Sequence, residues 1–270
     1  MKLIENMARH IRLSALELCY IRRTSHIGGA LSVADILAVL YGQLVYCNPE
    51  KPDMPERDRL FYSKGHAAAA LYAALQHRGF FSAELLLKSF ATDGTVFTSH
   101  INHQVPGVEL STGSLGHALG VACGSAVAAL SRCQDHDIIA ILSDGELDEG
   151  SNWEAILFAA HHRLDNMLLV IDYNKIQSFG SVHDVMQLDP LAAKFEAFNW
   201  EVCEVDGHDI GSLLSTLKRA KSARTGKPQC VIAHTIKGKG VDFMENQLAW
   251  HYRSPNDEQY REARRQIKTA

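Results

Sequence analysis

The sequence predicts an α/β protein, built as a three-layer sandwich with helices on both faces of a mostly parallel β-sheet. The predicted strands at 137–142 and 167–171 are, after Asp137, continuous apolar runs, which are typical of parallel strands buried on both faces. A helical pattern separates the two runs and predicts a right-handed βαβ unit. The same alternation of strand and helix continues to residue 235, and it favours one layered domain over residues 1–270.

The composition indicates an ordinary globular protein of the cytoplasm. The chain has 270 residues, of which 46% are apolar and 21% are charged, and its net charge of −4 argues against a nucleic-acid-binding protein. Six scattered cysteines form no C-x-x-C pair, so we expect buried, reduced thiols and not a disulfide or zinc framework. The N-terminal residues have no secretory signal pattern. Residues 110–130 are too rich in Gly, Ser and His for a membrane span.

The first half of the chain begins with a helix, because apolar side chains recur with helical spacing over residues 3–23. Ser32 is the predicted N-cap of a second helix that runs to residue 45. Three prolines make residues 48–57 a loop. A short strand at 59–63 then leads through Lys64-Gly-His66 into an Ala-rich helix. The remaining elements predicted in this half are a helix at 82–90 and a long loop at 91–112, of a length that is usually functional or disordered.

In the second half, residues 115–130 are predicted to be helical, with glycines at 116, 120 and 124 on one stripe. Such a stripe predicts close packing, more plausibly against a neighbouring helix than against a cofactor. Ser151-Asn-Trp-Glu154 predicts a capping box at the start of the crossover helix. The later predicted elements are a loop at 174–187, helices at 190–198, 210–223 and 256–269, strands at 200–205 and 229–235, and an irregular aromatic segment at 243–255.

Two polar residues, Asp144 and Asn174, follow the two apolar strands directly. Ligands of open parallel sheets bind at the carboxyl ends of the strands. A carboxylate and an amide oxygen are hard donors that suit Mg²⁺ or Ca²⁺, and the backbone carbonyl of Ile176 is placed to be a third ligand. Gly145 allows a sharp turn and a close approach to a phosphate. An ordinary turn at Asp-Gly is the competing interpretation.

Other phosphate and metal motifs are missing from the sequence. It contains no P-loop and no G-x-G-x-x-G after a strand. It also lacks H-E-x-x-H and any zinc-ligand spacing. Several histidines fall in small-residue loops, at helix starts or in the aromatic segment, and together they could line a polar pocket that moves protons and binds hydroxyl groups; these are His26, His66, His100, His117 and His251.

Five sequence blocks together resemble the thiamine-diphosphate-dependent transketolases. They cover nearly the whole chain: Ser63-Lys-Gly-His66, residues 106–117, residues 143–155 with Asp172-Tyr-Asn174, residues 160–166, and residues 237–246. The resemblance is greatest to the N-terminal subunit of split transketolases, in which two chains share the enzyme. It implies the diphosphate-binding (PP-type) fold of that family.

The resemblance also implies roles for individual residues. Mg²⁺, or Ca²⁺ or Mn²⁺ in its place, would be bound by Asp144, Asn174 and Ile176. The thiamine diphosphate would contact His66, Gly113, Leu115, Gly145, Glu146, Asn174 and His251. Residues facing the substrate and the reacting carbon would be His26, His100 and His251. Glu149 matches a glutamate at the subunit interface. The family's Gly-Asp-Gly begins here with Ser143, which puts one phosphate contact in doubt.

The resemblance further implies a partner chain. The family activates the cofactor with a glutamate of a second, pyrimidine-binding domain, and only about 35 residues follow Thr235, too few for such a domain. We therefore expect a C-terminal subunit, an α₂β₂ assembly, and transfer of a two-carbon ketol unit between a ketose phosphate and an aldose phosphate. The alternatives are a transketolase for an unusual sugar phosphate, a deoxyxylulose-phosphate-synthase-like enzyme, and a non-catalytic subunit that binds the diphosphate. No nucleic-acid or membrane partner is expected.

Overall fold

A five-stranded parallel sheet forms the centre of the molecule. The computed structural model describes residues 1–269. The strands lie in the order β1-β2-β3-β5-β4, and every neighbouring pair is parallel. Their bounds are β1 Arg59–Tyr62, β2 Ile138–Ser143, β3 Met167–Tyr173, β4 Glu201–Asp206 and β5 Gln229–His234. The predicted fold class is therefore confirmed.

Helices cover both faces of the sheet. The α-helices are α1 Lys2–Arg22, α2 Ile27–Ser32, α3 Ala34–Val39, α4 Ala68–His77, α5 Ala83–Ser89, α6 Ala118–Ser131, α7 Gly150–His161, α8 Val182–Val185, α9 Leu191–Ala197, α10 Ile210–Ser222 and α11 Asp257–Thr269. A π-helix, Leu40–Leu44, extends α3. Short 3₁₀ turns are Gly65–Ala67, Gly145–Asp148 and Leu248–His251. No helix within residues 1–269 is long and apolar enough to cross a membrane.

Alternate residues of the central strands pack into two separate cores. Ile139 and Ile141 of β2 point to the core that holds α1, α3, α4 and α10. Ile138 and Leu142 point to the other core, under α6, α7 and α9. All six residues of β2 are buried, because successive side chains of a strand point to opposite faces of the sheet and helices cover both faces. This arrangement leaves the carboxyl edge of the sheet as the place where polar residues gather.

The predicted helix start at Ser32 is wrong. The chain is already helical from Ile27, and Ser32 is the last residue of α2. Its hydroxyl donates to Asp172 Oδ2 at 2.6 Å and also lies 3.0 Å from the carbonyl oxygen of Gly29. Local sequence rules assign the Ser32 hydroxyl to a helix cap. In the structure it instead contacts a residue 140 positions away in the chain.

The glycine stripe and the capping box also differ from expectation. Helix α6 begins at Ala118, so Gly116 lies before it, at a φ of 84°. A Cβ on Gly116 would lie 2.6 Å from Ser151 Oγ, whereas Gly120 and Gly124 face open space. Ser151 is inside α7 and donates to the Gly116 carbonyl at 2.7 Å, so it does not cap the helix. The close packing predicted for the stripe therefore occurs at Gly116 alone among the three glycines, against Ser151 and Glu149.

Two smaller expectations are also modified. The loop at 174–187 contains α8, which Ser181 caps by accepting from the Asp184 amide at 3.2 Å. All six cysteines are free, as expected, but only Cys19, Cys123 and Cys230 are buried, and Cys133 is exposed. Neither difference changes the edge of the sheet at which Asp144 and Asn174 lie.

Candidate functional site

The carboxyl ends of β2 and β3 open into one polar cavity. Ser143 pairs with Asp172 in register, so the turns that carry Asp144 and Asn174 leave the sheet side by side. The cavity has a volume of about 220 Å³. Its wall is formed by His26, Gly29, Lys64, His66, His100, Gly113, Leu115, Ser143, Asp144, Gly145, Asn174, Ile176, Gln177, Ser178, Lys237 and His251.

Most of the predicted site residues line this cavity, and three polar ones do not. Glu146 is fully buried beneath it, where its carboxylate accepts from the Ser63 hydroxyl and, at 3.0 Å, from the Gly116 amide. Glu149 is exposed at the N-cap of α7. His117 is exposed at the N-cap of α6. The structure therefore brings Asp144, Asn174 and the other histidines together and leaves these three residues outside.

Backbone amides hold the two turns in a fixed orientation. The carboxylate of Asp144 accepts from the amide of Gly145 at 2.8 Å and from the amide of Lys175 at 2.5 Å. The side-chain oxygen of Asn174 accepts from the amide of Ile176 at 3.2 Å. Asp144 thereby ties its own turn to the Asn174 turn across the β2–β3 pair. Both side chains are almost fully buried, so these contacts fix the positions of their oxygens.

The donor set fits a hard cation that takes part of its coordination from phosphate. Asp144 contributes a carboxylate, Asn174 an amide oxygen and Ile176 a carbonyl. Within residues 1–269 no group of three His, Cys, Asp or Glu side chains is arranged to hold a metal. The set at this site contains only one side chain of those four types, and its other two donors are neutral oxygens. Further oxygens would have to come from a ligand or from water.

The electrostatics of Asp144 support the same assignment. Burial is the main cause that raises its pKa to about 6, and the neighbouring charge of Asp172 raises it further. Hydrogen bonds from the two backbone amides and the charge of Lys64 lower the pKa, but they offset only part of this increase. A divalent cation beside Asp144 would stabilise the ionised form, as charges close to a buried carboxylate do.

Four imidazole rings form a cluster above these turns. The centroid of His26 lies 4.8 Å from that of His251, 5.4 Å from that of His66 and 5.8 Å from that of His100. His26 has a φ of 72°, an uncommon value for a residue with a Cβ, and its amide donates to the His251 carbonyl at 2.9 Å. Its buried Nδ1 atom has no hydrogen-bond partner among the described residues. A strained residue with an unpaired polar atom is typical of a ligand site.

The histidines of the cluster are neutral at pH 7. Burial lowers the pKa of His26 to about 4, with further contributions from His100 and Lys237. Burial and the charge of Lys237 lower the pKa of His251 to about 3. Burial likewise lowers the pKa values of His66 and His100. A neutral imidazole has one donor and one acceptor, so each ring can bind a hydroxyl group or move a proton.

Gly113 allows the third wall of the cavity to approach His100. A Cβ at Gly113, whose φ is 152°, would lie only 2.7 Å from His100 Cδ2. Leu115, two residues on, supplies an apolar side chain to the cavity wall. The cavity wall thus combines an imidazole close to the Gly113 backbone with the apolar residue Leu115, a lining that suits a flat ring of a ligand.

Sequence reasoning missed two lysines of the site. Lys64 is 1% exposed, and its ammonium pairs with the fully buried carboxylate of Asp172. Lys237 is 2% exposed and reaches into the cavity from the turn after β5. Each lysine stands in a sequence block that resembles the transketolases, Lys64 beside Gly65 and Lys237 beside Gly238. Position in those blocks was the only signal, because nothing local indicated that the side chains point inward.

The family of the chain follows from comparison with known proteins. Residues 4–269 match the family described as transketolase, thiamine diphosphate binding domain. The chain belongs to the transketolases. It corresponds to their N-terminal, thiamine-diphosphate-binding part, as the five sequence blocks predicted, and that expectation is confirmed.

Relatives and solved structures agree with this assignment. A 6-deoxy-6-sulfo-D-fructose transketolase subunit of Clostridium sp. (strain MSTE9) is 40% identical over 261 residues, which are 96% of this chain and 94% of that one. One of the subunits of the apulose-4-phosphate transketolase of Phocaeicola vulgatus is 37% identical, over 98% of this chain and 93% of that one.

Among solved structures, the transketolase of Campylobacter jejuni superposes with a TM-score of 0.94 at 32% identity over 99% of this chain. The chain spans 43% of the length of that transketolase.

Proposed function

We propose that this transketolase-family chain is the N-terminal subunit of a two-chain enzyme that transfers a two-carbon ketol unit from a ketose phosphate to an aldose phosphate. The observation that carries the proposal is the meeting of Asp144, Asn174 and the four-histidine cluster in one cavity at the carboxyl edge of the sheet. In this proposal residues 1–270 form one domain that binds thiamine diphosphate and a divalent metal, and the enzyme acts in the cytoplasm.

The metal half of the site would be built by Asp144, Asn174 and the Ile176 carbonyl, with Mg²⁺ the proposed ion and Ca²⁺ or Mn²⁺ as substitutes. Hydrogen bonds from the turn amides already orient the two side-chain oxygens, so little reorganisation is needed when the metal binds. Gly145 lines the cavity beside them. It allows a phosphate to approach the backbone of the turn.

The histidine half would bind the sugar and move protons. His26 and His100 would accept or donate hydrogen bonds to substrate hydroxyls, because both are neutral at pH 7. The rings of His66 and His251 also contact that of His26, and both residues would bind the cofactor, together with Gly113 and Leu115. When bound, thiamine diphosphate supplies the carbon-carbon bond chemistry, and the protein supplies orientation and proton transfer.

A partner chain is supported by the relatives that are named as subunits. The relatives that are named as subunits are similar in length to this chain, whereas the chain spans 43% of a solved transketolase. We propose that a C-terminal chain supplies the pyrimidine-binding domain, in an α₂β₂ complex. The exposed Glu149, next to the site in the sequence, would contact it. Glu146 would act indirectly, because its carboxylate accepts from the Ser63 hydroxyl and from the Gly116 amide below the cavity.

A sugar phosphate of an unusual kind is the second candidate substrate. It is favoured by the similarity to subunits named for 6-deoxy-6-sulfo-D-fructose and apulose-4-phosphate. The residues that bind the phosphate end of the sugar are expected on the partner chain. The test is a ketol-transfer assay with a panel of common and branched or substituted ketoses, using the chain alone and the complex with the partner.

Turnover by the complex but not by the chain alone is expected. Robust turnover by the chain alone would contradict the two-chain assignment. Binding of thiamine diphosphate by the complex without turnover of any ketose would favour the non-catalytic alternative instead. The preferred ketose in the panel decides between a common and an unusual substrate.

A further inference from the structure

Three charged or polar side chains form a bridge outside the cavity, between α1, α3 and the turn after β4. Asp35 of α3 is 5% exposed, and Arg12 of α1 donates to both of its carboxylate oxygens, at 2.9 and 2.5 Å. The Nδ1 atom of His208, in the turn after β4, lies 2.7 Å from the same carboxylate. These three residues line a separate hollow of about 300 Å³ and not the cavity of Asp144. Any effect of the bridge on the cavity must therefore be indirect.

Two contacts of the His208 ring fix its tautomer. The backbone amide of Ile236 donates to Nε2 at 2.8 Å, and an amide N–H can only donate, so Nε2 carries no proton. The proton of the ring is then on Nδ1, which donates to Asp35 Oδ2. Burial raises the pKa of Asp35, but the hydrogen bond from His208 and the charge of Arg12 outweigh burial and hold the pKa below its ordinary value. The ring therefore joins an ionised carboxylate to a backbone amide.

His208 binds the backbone at the point where the chain leaves the sheet. The amide of Thr235 still donates to the carbonyl of Tyr173 in β3, at 3.2 Å. Ile236 is the next residue, and its amide donates to the imidazole. His208 is itself anchored at this edge, because its own amide donates to Asp206 Oδ1 at 2.8 Å. The imidazole thus holds the first amide beyond the sheet.

The turn that begins at Ile236 carries a side chain that reaches the cavity. Lys237 is the next residue, and its Nζ atom donates to the carbonyl oxygen of Ile176 at 2.9 Å and lies 3.0 Å from His251 Nδ1. A Cβ on Gly28 would lie 3.1 Å from Lys237 Cγ, so helix α2 leaves the lysine stem little space. A shift of the turn would therefore change the contacts with Ile176 and His251, because the stem cannot easily absorb it.

We propose that His208 is a positioning residue of the cofactor site: by holding the Ile236 amide, it keeps the turn at 236–240 in the orientation in which metal and thiamine diphosphate bind. This inference rests on the proposed function. Asp35 keeps the proton of the ring on Nδ1, which leaves Nε2 as the acceptor, and Arg12 keeps Asp35 ionised. The contact between Ile236 and the ring acts on the cavity, and the contact with Asp35 supports it.

Two substitutions of His208 separate the two halves of the bridge. The side-chain oxygen of glutamine reaches as far as Nε2 of histidine, so His208→Gln keeps an acceptor for the Ile236 amide and loses the donor to Asp35. The side-chain amide of asparagine reaches only as far as Nδ1, so His208→Asn keeps the donor and loses the acceptor. Each variant loses one hydrogen bond, so both should be destabilised to a similar extent. Only His208→Asn should affect the cofactor site.

Hydrogen exchange of the Ile236 amide, followed by NMR on the full chain without ligands, tests whether the ring holds the turn. Exchange should be about tenfold faster in His208→Asn than in the wild type, and within about threefold of the wild type in His208→Gln. This measurement does not depend on the cofactor.

Cofactor binding tests the consequence for the site. In calorimetric titrations of the complex with thiamine diphosphate at saturating Mg²⁺, His208→Asn should bind about tenfold more weakly than the wild type, as expected for one lost hydrogen bond. His208→Gln should bind like the wild type. In ketol-transfer assays of the complex, the KM for thiamine diphosphate should rise by the same factor in His208→Asn, with kcat at saturating cofactor within about twofold.

A matched control and a substitute variant separate this role from loss of structure. His234, at the end of β5, also pairs with a carboxylate, since its Nε2 atom lies 2.7 Å from Glu204 Oε2. His234→Asn should leave the exchange of the Ile236 amide and the cofactor affinity unchanged. If His208→Asn folds poorly, His208→Leu takes its place, because leucine fills much of the same space and offers no acceptor.

The outcomes distinguish this proposal from the proposed function. Faster exchange at Ile236 and weaker cofactor binding in His208→Asn, but not in His208→Gln, support the positioning role. Equal behaviour of the two variants overturns it, and so does wild-type exchange or wild-type cofactor affinity in His208→Asn. In each of these cases Mg²⁺-dependent cofactor binding by the wild type leaves the proposed function standing. If the wild-type complex binds no thiamine diphosphate, both proposals are overturned.

Discussion

Removal of the Lys64 ammonium should strongly destabilise the chain. Asp172 is fully buried, and it accepts from the hydroxyls of Ser32 and Thr235 as well as from Lys64. Lys64→Met leaves that carboxylate with two neutral donors and no counter-charge. Loss of one partner of a buried ion pair typically costs about 3–5 kcal/mol. Since most domains are stable by about 5–15 kcal/mol, the variant should remain folded with a greatly lowered free energy of unfolding.

Urea unfolding followed by far-ultraviolet circular dichroism measures this change. The double variant Lys64→Met/Asp172→Asn is the informative comparison, because an amide can still bind the Ser32 and Thr235 hydroxyls without a buried charge. It should be more stable than Lys64→Met alone. Lys88→Met removes an exposed i,i+4 pair with Glu84 and should change the stability by about 0.5 kcal/mol or less.

Two results would refute this reasoning. One is a Lys64→Met variant as stable as the wild type, which would mean that the pair contributes no net stabilisation. The other is a double variant that is no more stable than the single variant, which would mean that the lost packing of the lysine stem, and not the unpaired carboxylate, causes the destabilisation.

Two further predictions concern the histidines and the glycine beside them. The pKa of His26 is depressed to about 4 by burial, so the unfolded chain binds more protons than the folded one between about pH 6.5 and pH 4. The free energy of unfolding should therefore fall as the pH is lowered through that window, and less steeply in His26→Gln; equal slopes in urea titrations would contradict this. Gly113→Ala should reduce ketol transfer by the complex, because a Cβ would lie 2.7 Å from His100, whereas Gly226→Ala, at an open position with φ 75°, should cost stability but not activity.

The sequence was sufficient to predict the sheet and the meeting of Asp144 and Asn174 at its carboxyl edge. Strands β2 and β3 are continuous apolar runs, a pattern that depends only on burial from both sides. Once two parallel strands are neighbours, their carboxyl ends must lie together, so the proximity of Asp144 and Asn174 follows from topology. Strand ends differed from prediction by one or two residues, which is ordinary because pairing with a neighbour decides where a strand stops.

The features that sequence patterns did not reveal all depend on long-range contacts. Ser32 and Ser151 match helix-capping patterns, but their hydroxyls contact Asp172 and the Gly116 carbonyl. The inward direction of Lys237 depends on the approach of α2 to the turn after β5. Local propensity has no information about such contacts, since they arise only when distant elements pack.

The central claim is that the Asp144–Asn174 edge holds a divalent metal and, through it, a diphosphate. The most direct test is a calorimetric titration of thiamine diphosphate into the full chain, with and without Mg²⁺, for the wild type, Asp144→Ala and the exposed-site control Glu50→Ala. We predict Mg²⁺-dependent binding by the wild type and the control and its loss in Asp144→Ala. Binding by Asp144→Ala with the affinity and Mg²⁺ dependence of the wild type would contradict the claim.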